Sequence, residues 1–344
     1  MNEGEVRVNS CADGIEAAHA ATEIGATPHG ASAVGAHPPE KAWHRVARAS
    51  WRAAKRFLPD YAMVRIQFRR EIGHWPNLRN PTEYSEAILL RCLQPDMRWA
   101  ALTDKLAVRE YVREKIGEAH LIPLICVPEA LTREVFDTLP TSFVMKANHG
   151  CAFVKVVHDK STTSLEELSE LAAKWLATDY HRLSGERHYH VIEPKIYFEQ
   201  LLVDETGKIP SDLKLHVFGG RPQGPCIQTM VVADRFGDVR GDLYDEHWRR
   251  MGVTFGHYRP SDAPVPRPAN WVEIERIAKR LAEDFAYVRV DLYSTGSQVY
   301  FGELTFTPGG GRMRFTPGSH EHYWGRMLKE SIEGFERMRQ AGCA

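Results

Sequence analysis

The chain has 344 residues, 43% hydrophobic and 26% charged, the balance of a water-soluble globular protein. Lys and Arg number 44 against 45 Asp and Glu, a formal net charge of −1 that excludes a globally basic nucleic-acid binder. No run of about 18 apolar residues is present, so no membrane-spanning helix is predicted, and the first residues lack the basic-then-apolar layout of a secretion signal.

Residues 1–40 are rich in Ala, Gly, Ser and His and have almost no large apolar side chains. Such a segment cannot offset its ordering entropy by burial, so it is read as a disordered tail. Residues 41–102 form a predicted N-terminal helical region. In its first part Trp43, Val46, Ala47, Trp51, Ala54, Phe57 and Leu58 recur at helical spacing and make one apolar face. Lys41, Arg45, Arg48, Arg52, Lys55 and Arg56 line the rest with no acid among them. A basic amphipathic helix of this kind either lies on an anionic membrane surface, giving peripheral contact through 41–58, or packs on its own domain with a solvated basic face. Turns at Trp75-Pro76-Asn77 and Asn80-Pro81 precede a predicted helix from Thr82 to Leu93.

From Thr103 onward the pattern mixes helix and strand. A helix is expected over Leu106–Ile116, a short strand over Leu121–Ile125, and a hairpin from Phe143–Lys146 and Phe153–Val157. A helix over Leu165–Leu176 follows, then strands at Ile196–Leu202, Leu213–Phe218 and Ile227–Ala233. Trp271–Phe285 reads as a helix, Tyr287–Tyr293 and Gln298–Leu304 as a second hairpin, and Tyr323–Arg339 as the last helix. Antiparallel strands interspersed with helices, without regular βαβ alternation, indicate an α+β fold. The six cysteines are scattered without a C-x-x-C pair, which points to reduced thiols.

The second hairpin carries the strongest chemical signal. On a strand Arg289, Asp291 and Tyr293 share a face, as do Glu303 and Thr305, so Asp291 and Glu303 are brought side by side. Two carboxylates in an apolar hairpin need a compensating cation. That cation is either Mg²⁺ held with nucleotide phosphates or Arg289 in a structural ion pair. Lys146, at the end of an apolar strand and four residues before Gly150, can contact phosphate while the hairpin turn folds over it. Lys105, at a helix start, is a second candidate, and for both lysines surface decoration is the alternative. No G-x-x-x-x-G-K-[ST] and no G-x-G-x-x-G is present. Phe198-Glu199-Gln200-Leu201-Leu202 is either an adenine-binding hinge or a plain sheet strand.

Taken together and in order, these pieces resemble the TupA-like ATP-grasp family, named for a teichuronopeptide biosynthesis protein. The matching residues are Thr103-Asp-Lys-Leu-Ala-Val-Arg-Glu-Tyr-Val112, Lys146-Ala-Asn-His-Gly150 and Ser184-Gly-Glu-Arg-His188-Tyr. They continue with the strand ending in Glu199, Asp234-Arg-Phe-Gly237, Val288-Arg-Val-Asp-Leu-Tyr293 and Phe301-Gly-Glu-Leu-Thr-Phe306. The likeness spans roughly residues 57–330.

The resemblance implies an ATP-grasp fold, two α+β lobes gripping ATP, over residues 103–344 with a lid subdomain at about 130–198. It implies ATP and Mg²⁺ as cofactors. Lys105, Lys146, His149 and Gly150 would meet the phosphates, and Glu199, Gln200 and Leu202 the adenine. Asp291 and Glu303 would hold Mg²⁺ together with Thr305, which stands where such enzymes more usually have Asn. Arg289 and Lys214 would stabilise the transferred phosphoryl group. His188, Asp234, Arg235, Arg312 and Arg314 would meet substrate. The implied reaction is carboxylate–amine ligation through an acyl phosphate, with a cell-surface polysaccharide or a lipid-linked precursor as acceptor. That chemistry belongs in the cytoplasm or at the inner face of the cytoplasmic membrane. The alternatives are a kinase of a sugar or other small molecule, and a non-catalytic ATP-binding subunit of a glycan assembly complex.

Overall fold

The structure is a computed structural model, and it describes residues 58–233 and 238–342. The predicted tail and nearly all of the predicted basic helix, together with Asp234 and Arg235, lie outside the described residues. The first described helix is α1 (Asp60–Ile72), followed by α2 (Tyr84–Leu93), α3 (Arg98–Thr103) and α4 (Val108–Ile116). Next come β1 (Leu124–Cys126), α5 (Arg133–Thr138), β2 (Phe143–Ala147), β3 (Val154–Val157), α6 (Leu165–Leu176), α7 (Tyr180–Ser184) and β4 (Ile196–Glu199). The remainder runs β5 (Asp212–Phe218), β6 (Cys226–Ala233), β7 (Arg240–Tyr244), β8 (Thr254–Phe255), α8 (Trp271–Ala282), β9 (Tyr287–Ser294), β10 (Val299–Thr305), β11 (Phe315–Thr316) and α9 (Ser319–Gln340).

Two antiparallel sheets organise the molecule. The smaller has the order β1-β4-β2-β3, the larger β10-β9-β5-β6-β7, and β8 pairs with β11 alone. In the smaller sheet Phe143, Met145, Ala147, Ile196 and Phe198 point to one face and pack under α5 and α6 in an apolar core with Leu168 and Trp175. The alternation that buries them turns Lys146, Tyr197 and Glu199 to the other face.

The larger sheet is covered on both sides. Leu213, Leu215, Val217, Val288, Val290 and Leu292 pack with Ile274, Ile277, Ala278 and Leu281 of α8. The spacing of those α8 residues makes a single apolar stripe of helical period. On the other face, Phe218, Tyr287, Tyr84, Trp324 and Leu328 form an aromatic cluster under α2 and α9. Helix α9 comes very near the sheet end, where a Cβ added to Gly334 would sit 1.7 Å from the carbonyl oxygen of Gly220. Only glycine allows that contact.

Several expected boundaries shift for local reasons. Asp104 Oδ1 accepts from the backbone N–H of Leu106 at 2.8 Å, so α4 starts at Val108 and not at Leu106. The strand expected to reach Leu202 stops at Glu199, where the N–H of Gln200 turns away to the carbonyl of Pro123 at 3.0 Å. Helix α9 begins at Ser319, four residues before the expected start, because Glu321 in its first turn is buried and accepts from the backbone and hydroxyl of Ser85. Among the described residues no helix is long and apolar enough to cross a membrane.

Candidate active site

The polar end of the aromatic face of the large sheet holds the charged groups. Register places Lys214 beside Asp291 across β5 and β9, and Asp291 beside Glu303 across β9 and β10. A bulge between Phe301 and Glu303 sets the second pairing. Before it, Val299 and Phe301 face the α8 core; after it, Leu304 and Phe306 do. The core parity therefore switches from odd to even, and Glu303 and Thr305 turn to the same side as Asp291. Gly302 carries the bulge, and a Cβ there would lie 3.0 Å from the carbonyl oxygen of Asp291.

The side chains form one network. Arg289 Nε donates to Asp291 Oδ1 at 2.6 Å, and Arg289 Nη2 donates to Asp291 Oδ2 at 2.8 Å and to Glu303 Oε1 at 2.9 Å. Thr305 Oγ1 donates to Glu303 Oε1 at 3.2 Å. Lys214 Nζ donates to Asp291 Oδ2 at 2.7 Å and lies 3.6 Å from Asp212 Oδ2. Burial works against the charge of Arg289, but Asp291 and Glu303 outweigh it and hold the guanidinium well above its ordinary range. The ion pair that the sequence offered as an alternative to metal binding is thus formed, to both carboxylates at once.

Lys105 links this sheet to the smaller one. Its Nζ donates to the carbonyl of Gly150 at 2.6 Å and lies 3.7 Å from Glu303 Oε2. Lys146 Nζ donates to Glu199 Oε1 from the adjacent strand. Tyr197 lies on the same face as these two; burial pushes its hydroxyl up, and Glu199, Glu303 and Tyr293 are all near enough to add to the effect. Lys146 and Glu199 on the smaller sheet and Lys214, Arg289, Asp291, Glu303 and Thr305 on the larger are therefore joined by Lys105, in the turn before α4, making eight of the positions predicted from sequence.

Others are not brought there. The ring of His149 is buried against Phe153, with Nε2 3.2 Å from the carbonyl of Trp175, and burial lowers its basicity. His188 is fully buried, packs edge-on to Trp99, and is pushed down to about 3 by burial. Arg314 is exposed beside Gly73. Arg312 donates to Gln67 Oε1 at 2.7 Å and to the carbonyl of Ser184 at 3.0 Å. Gln200 is exposed and Leu202 half-buried in the loop after β4.

One carboxylate had no role assigned from sequence. Glu186 is buried and accepts a hydrogen bond from Thr307 Oγ1, two residues beyond Thr305. Burial raises its pKa, and the charge of Glu303 adds to this. Its residue type is visible within Ser184-Gly-Glu-Arg-His188, but its partner is 121 positions away in sequence, a contact that no local pattern encodes.

Residues 87–329 match the family model described as TupA-like ATPgrasp. No curated protein matches the chain. Among solved structures it is similar to D-alanine–D-alanine ligase from Bacillus anthracis, at 18% identity over 70% of this chain and 69% of that one, with a TM-score of 0.42. It is similar to N5-carboxyaminoimidazole ribonucleotide synthetase from Thermus thermophilus, at 16% identity over 65% of this chain and 51% of that one, TM-score 0.36. It is also similar to D-alanyl-alanine synthetase A from Vibrio cholerae O1 biovar eltor, at 12% identity over 68% of this chain and 65% of that one, TM-score 0.39.

Proposed function

Because the chain belongs to the TupA-like ATP-grasp family, we propose that it is an ADP-forming carboxylate–amine ligase working through an acyl phosphate. The observation that supports this most is the register pairing of Asp291 with Glu303, faced by Lys105 and bridged by Arg289. Two carboxylates and the Thr305 hydroxyl are hard oxygen donors of the kind Mg²⁺ takes, and they lie within one hydrogen-bonded group. Mg²⁺ bound there would neutralise phosphate charge and orient the triphosphate. Lys105, Lys146 and Lys214 would then exchange their carboxylate partners for phosphate oxygens, and Arg289 would stabilise charge on the phosphoryl group in flight.

In the reaction, a substrate carboxylate oxygen attacks the γ-phosphorus and ADP leaves. An amine nitrogen then attacks the acyl carbon, phosphate leaves with the bonding electron pair, and the proton lost from nitrogen passes to the departing phosphate or to water. The protein forms no covalent bond; it orients the reactants and excludes water from the acyl phosphate. Glu199, Gln200 and Leu202 would flank the adenine, with the turn at Gly150 as lid. The acceptor on this reading is a cell-surface polysaccharide or its lipid-linked precursor, reached from the cytoplasmic side.

Phosphorus NMR of the protein with Mg-ATP, amino acids and uronic-acid substrates tests this. Substrate-dependent ADP plus free phosphate, with the acyl group of the acyl phosphate captured as a hydroxamate when hydroxylamine is added, and both lost in Glu303→Ala, is the expected result. A phosphate ester in place of free phosphate would make the protein a kinase. ATP binding with no turnover on any substrate would favour a non-catalytic subunit.

A further inference from the structure

We propose that Asp179, His181 and His190 form a binding site for a divalent transition-metal ion, with Zn²⁺ as the ion their donors suit best. The site uses none of the residues of the charged network and does not depend on the ligase reading.

Local folding brings the three together. Asp179 caps the start of α7, accepting from the backbone N–H of Arg182 at 3.1 Å. Gly185 ends that helix in the left-handed region, at φ 82°, and the chain doubles back into the 3₁₀ turn Arg187–Val191. A Cβ at Gly185 would lie 2.4 Å from Val64 Cγ1, so the reversal is pinned against α1. His190 returns to His181, with ring centroids 5.1 Å apart and planes at 61°. A carboxylate oxygen of Asp179 and one ring nitrogen of each histidine lie within 4.8 Å of one another. Two nitrogens bound to one zinc at about 2.0–2.1 Å sit about 3.4 Å apart. Asp179 and His190 are exposed, so a small rotation of their side chains closes the set.

The buried member of the set points to a ligand. His181 is 7% exposed, and among the described residues neither of its ring nitrogens has a hydrogen bond. Nε2 lies 3.3 Å from Asp60 Oδ2, off the line of a hydrogen bond. Burying an imidazole with both nitrogens unsatisfied is costly. A metal on Nδ1 removes that cost, and the Nε2–H then has Asp60 as its acceptor. A carboxylate behind the imidazole in this way fixes the tautomer of a metal-bound histidine. The charges agree. Arg182 and Arg187 are turned to Asp60, at 3.2 and 3.0 Å, and among the described residues no Lys or Arg lies within ion-pair distance of Asp179. Two imidazoles and one carboxylate suit zinc, whereas Mg²⁺ takes oxygen ligands. Three protein ligands leave a fourth position for water.

The test is titration of the chelator-treated full chain with Zn²⁺ against a chromophoric chelator, with Co²⁺ substitution read in the visible spectrum. A site with a Kd of about 1 µM or tighter and a tetrahedral Co²⁺ band are expected. His190→Ala removes an exposed ligand, and Asp179→Asn removes the charge while keeping a good helix cap. Each should weaken zinc about tenfold or more. Both metal-free variants should melt within about 2 °C of the parent, and zinc should raise the melting temperature of the parent more than theirs. His19, His29 and His37, outside the described residues, are intact in both variants, so zinc held there would not respond to either change. Zinc affinity within about twofold of the parent in either variant overturns the site. So does a parent chain that takes up no zinc at micromolar concentration.

Discussion

Glu303 stands opposite Asp291 because the β9–β10 ladder passes over Gly302, which it leaves unpaired between Phe301 and Glu303, where the core-facing parity changes. Straight pairing would send Glu303 into the apolar side with Phe301. The bulge costs one ladder position and supplies the two-carboxylate geometry.

Gly302→Ala tests that dependence. The new Cβ would press on the Asp291 carbonyl and the Tyr293 ring, each 3.0 Å away. The strand must shift, and a stability loss of about 1–2 kcal/mol is expected by urea unfolding. ADP formation should fall by more than stability explains, because the shift separates Glu303 from Asp291. Full activity in a destabilised variant would show that the pairing is not needed.

Glu303→Gln should cut turnover roughly 100-fold or more, equivalent to about 2.7 kcal/mol of barrier. Arg289 keeps its two bonds to Asp291, so the fold should hold. Thermal unfolding within about 2 °C of the parent is the control. Loss of turnover with collapse of the melting transition would point to a structural role.

Lys146 and Glu199 are a pair whose partners can be removed separately. Glu199 is 4% exposed, so Lys146→Met strands a buried carboxylate and should destabilise by about 3 kcal/mol. Adding Glu199→Gln should restore most of that stability. It should not restore nucleotide affinity, which depends on the cation. A double variant that regains both would mean that Lys146 is structural only.

Acid should unfold the protein partly through His188. Its folded-state pKa is pushed down to about 3 by burial, with Arg91 and His181 adding to the effect. The unfolded chain takes up this proton near pH 6.5 and the folded one does not. Stability is therefore intact above pH 6.5 and falls by about 1.4 kcal/mol per unit as pH drops toward 3. His188→Phe should flatten that slope in urea titrations between pH 6.5 and 4.5. His216, likewise buried and lowered by burial, will leave a residual slope.

The sequence announces what strand alternation can encode. Arg289 and Asp291 share a face of one strand and Glu303 and Thr305 a face of the next, as two-residue periodicity requires, and Lys146 precedes a hairpin turn. It does not announce what depends on distant packing. The bulge at Gly302 shows only in the exchange of core parity, which takes the positions of Phe301 and Leu304 to see. Helix α1 escapes a periodicity reading because its face alternates charge and bulk, with Met63, Val64 and Phe68 buried between arginines. His149 reads as a phosphate contact from its place beside Gly150, but the ring turns into the core with Phe153.

The network also bears on how an anion would first find this surface. Lys105, Lys146, Lys214 and Arg289 are matched by Glu199, Asp212, Asp291 and Glu303, four cations against four carboxylates. The group has no net charge and projects little field beyond a Debye length. A triphosphate would arrive at the ordinary diffusive rate, unhurried by long-range attraction. Its association rate should then change little between low and high ionic strength, and selectivity would arise only after contact, as partners are traded.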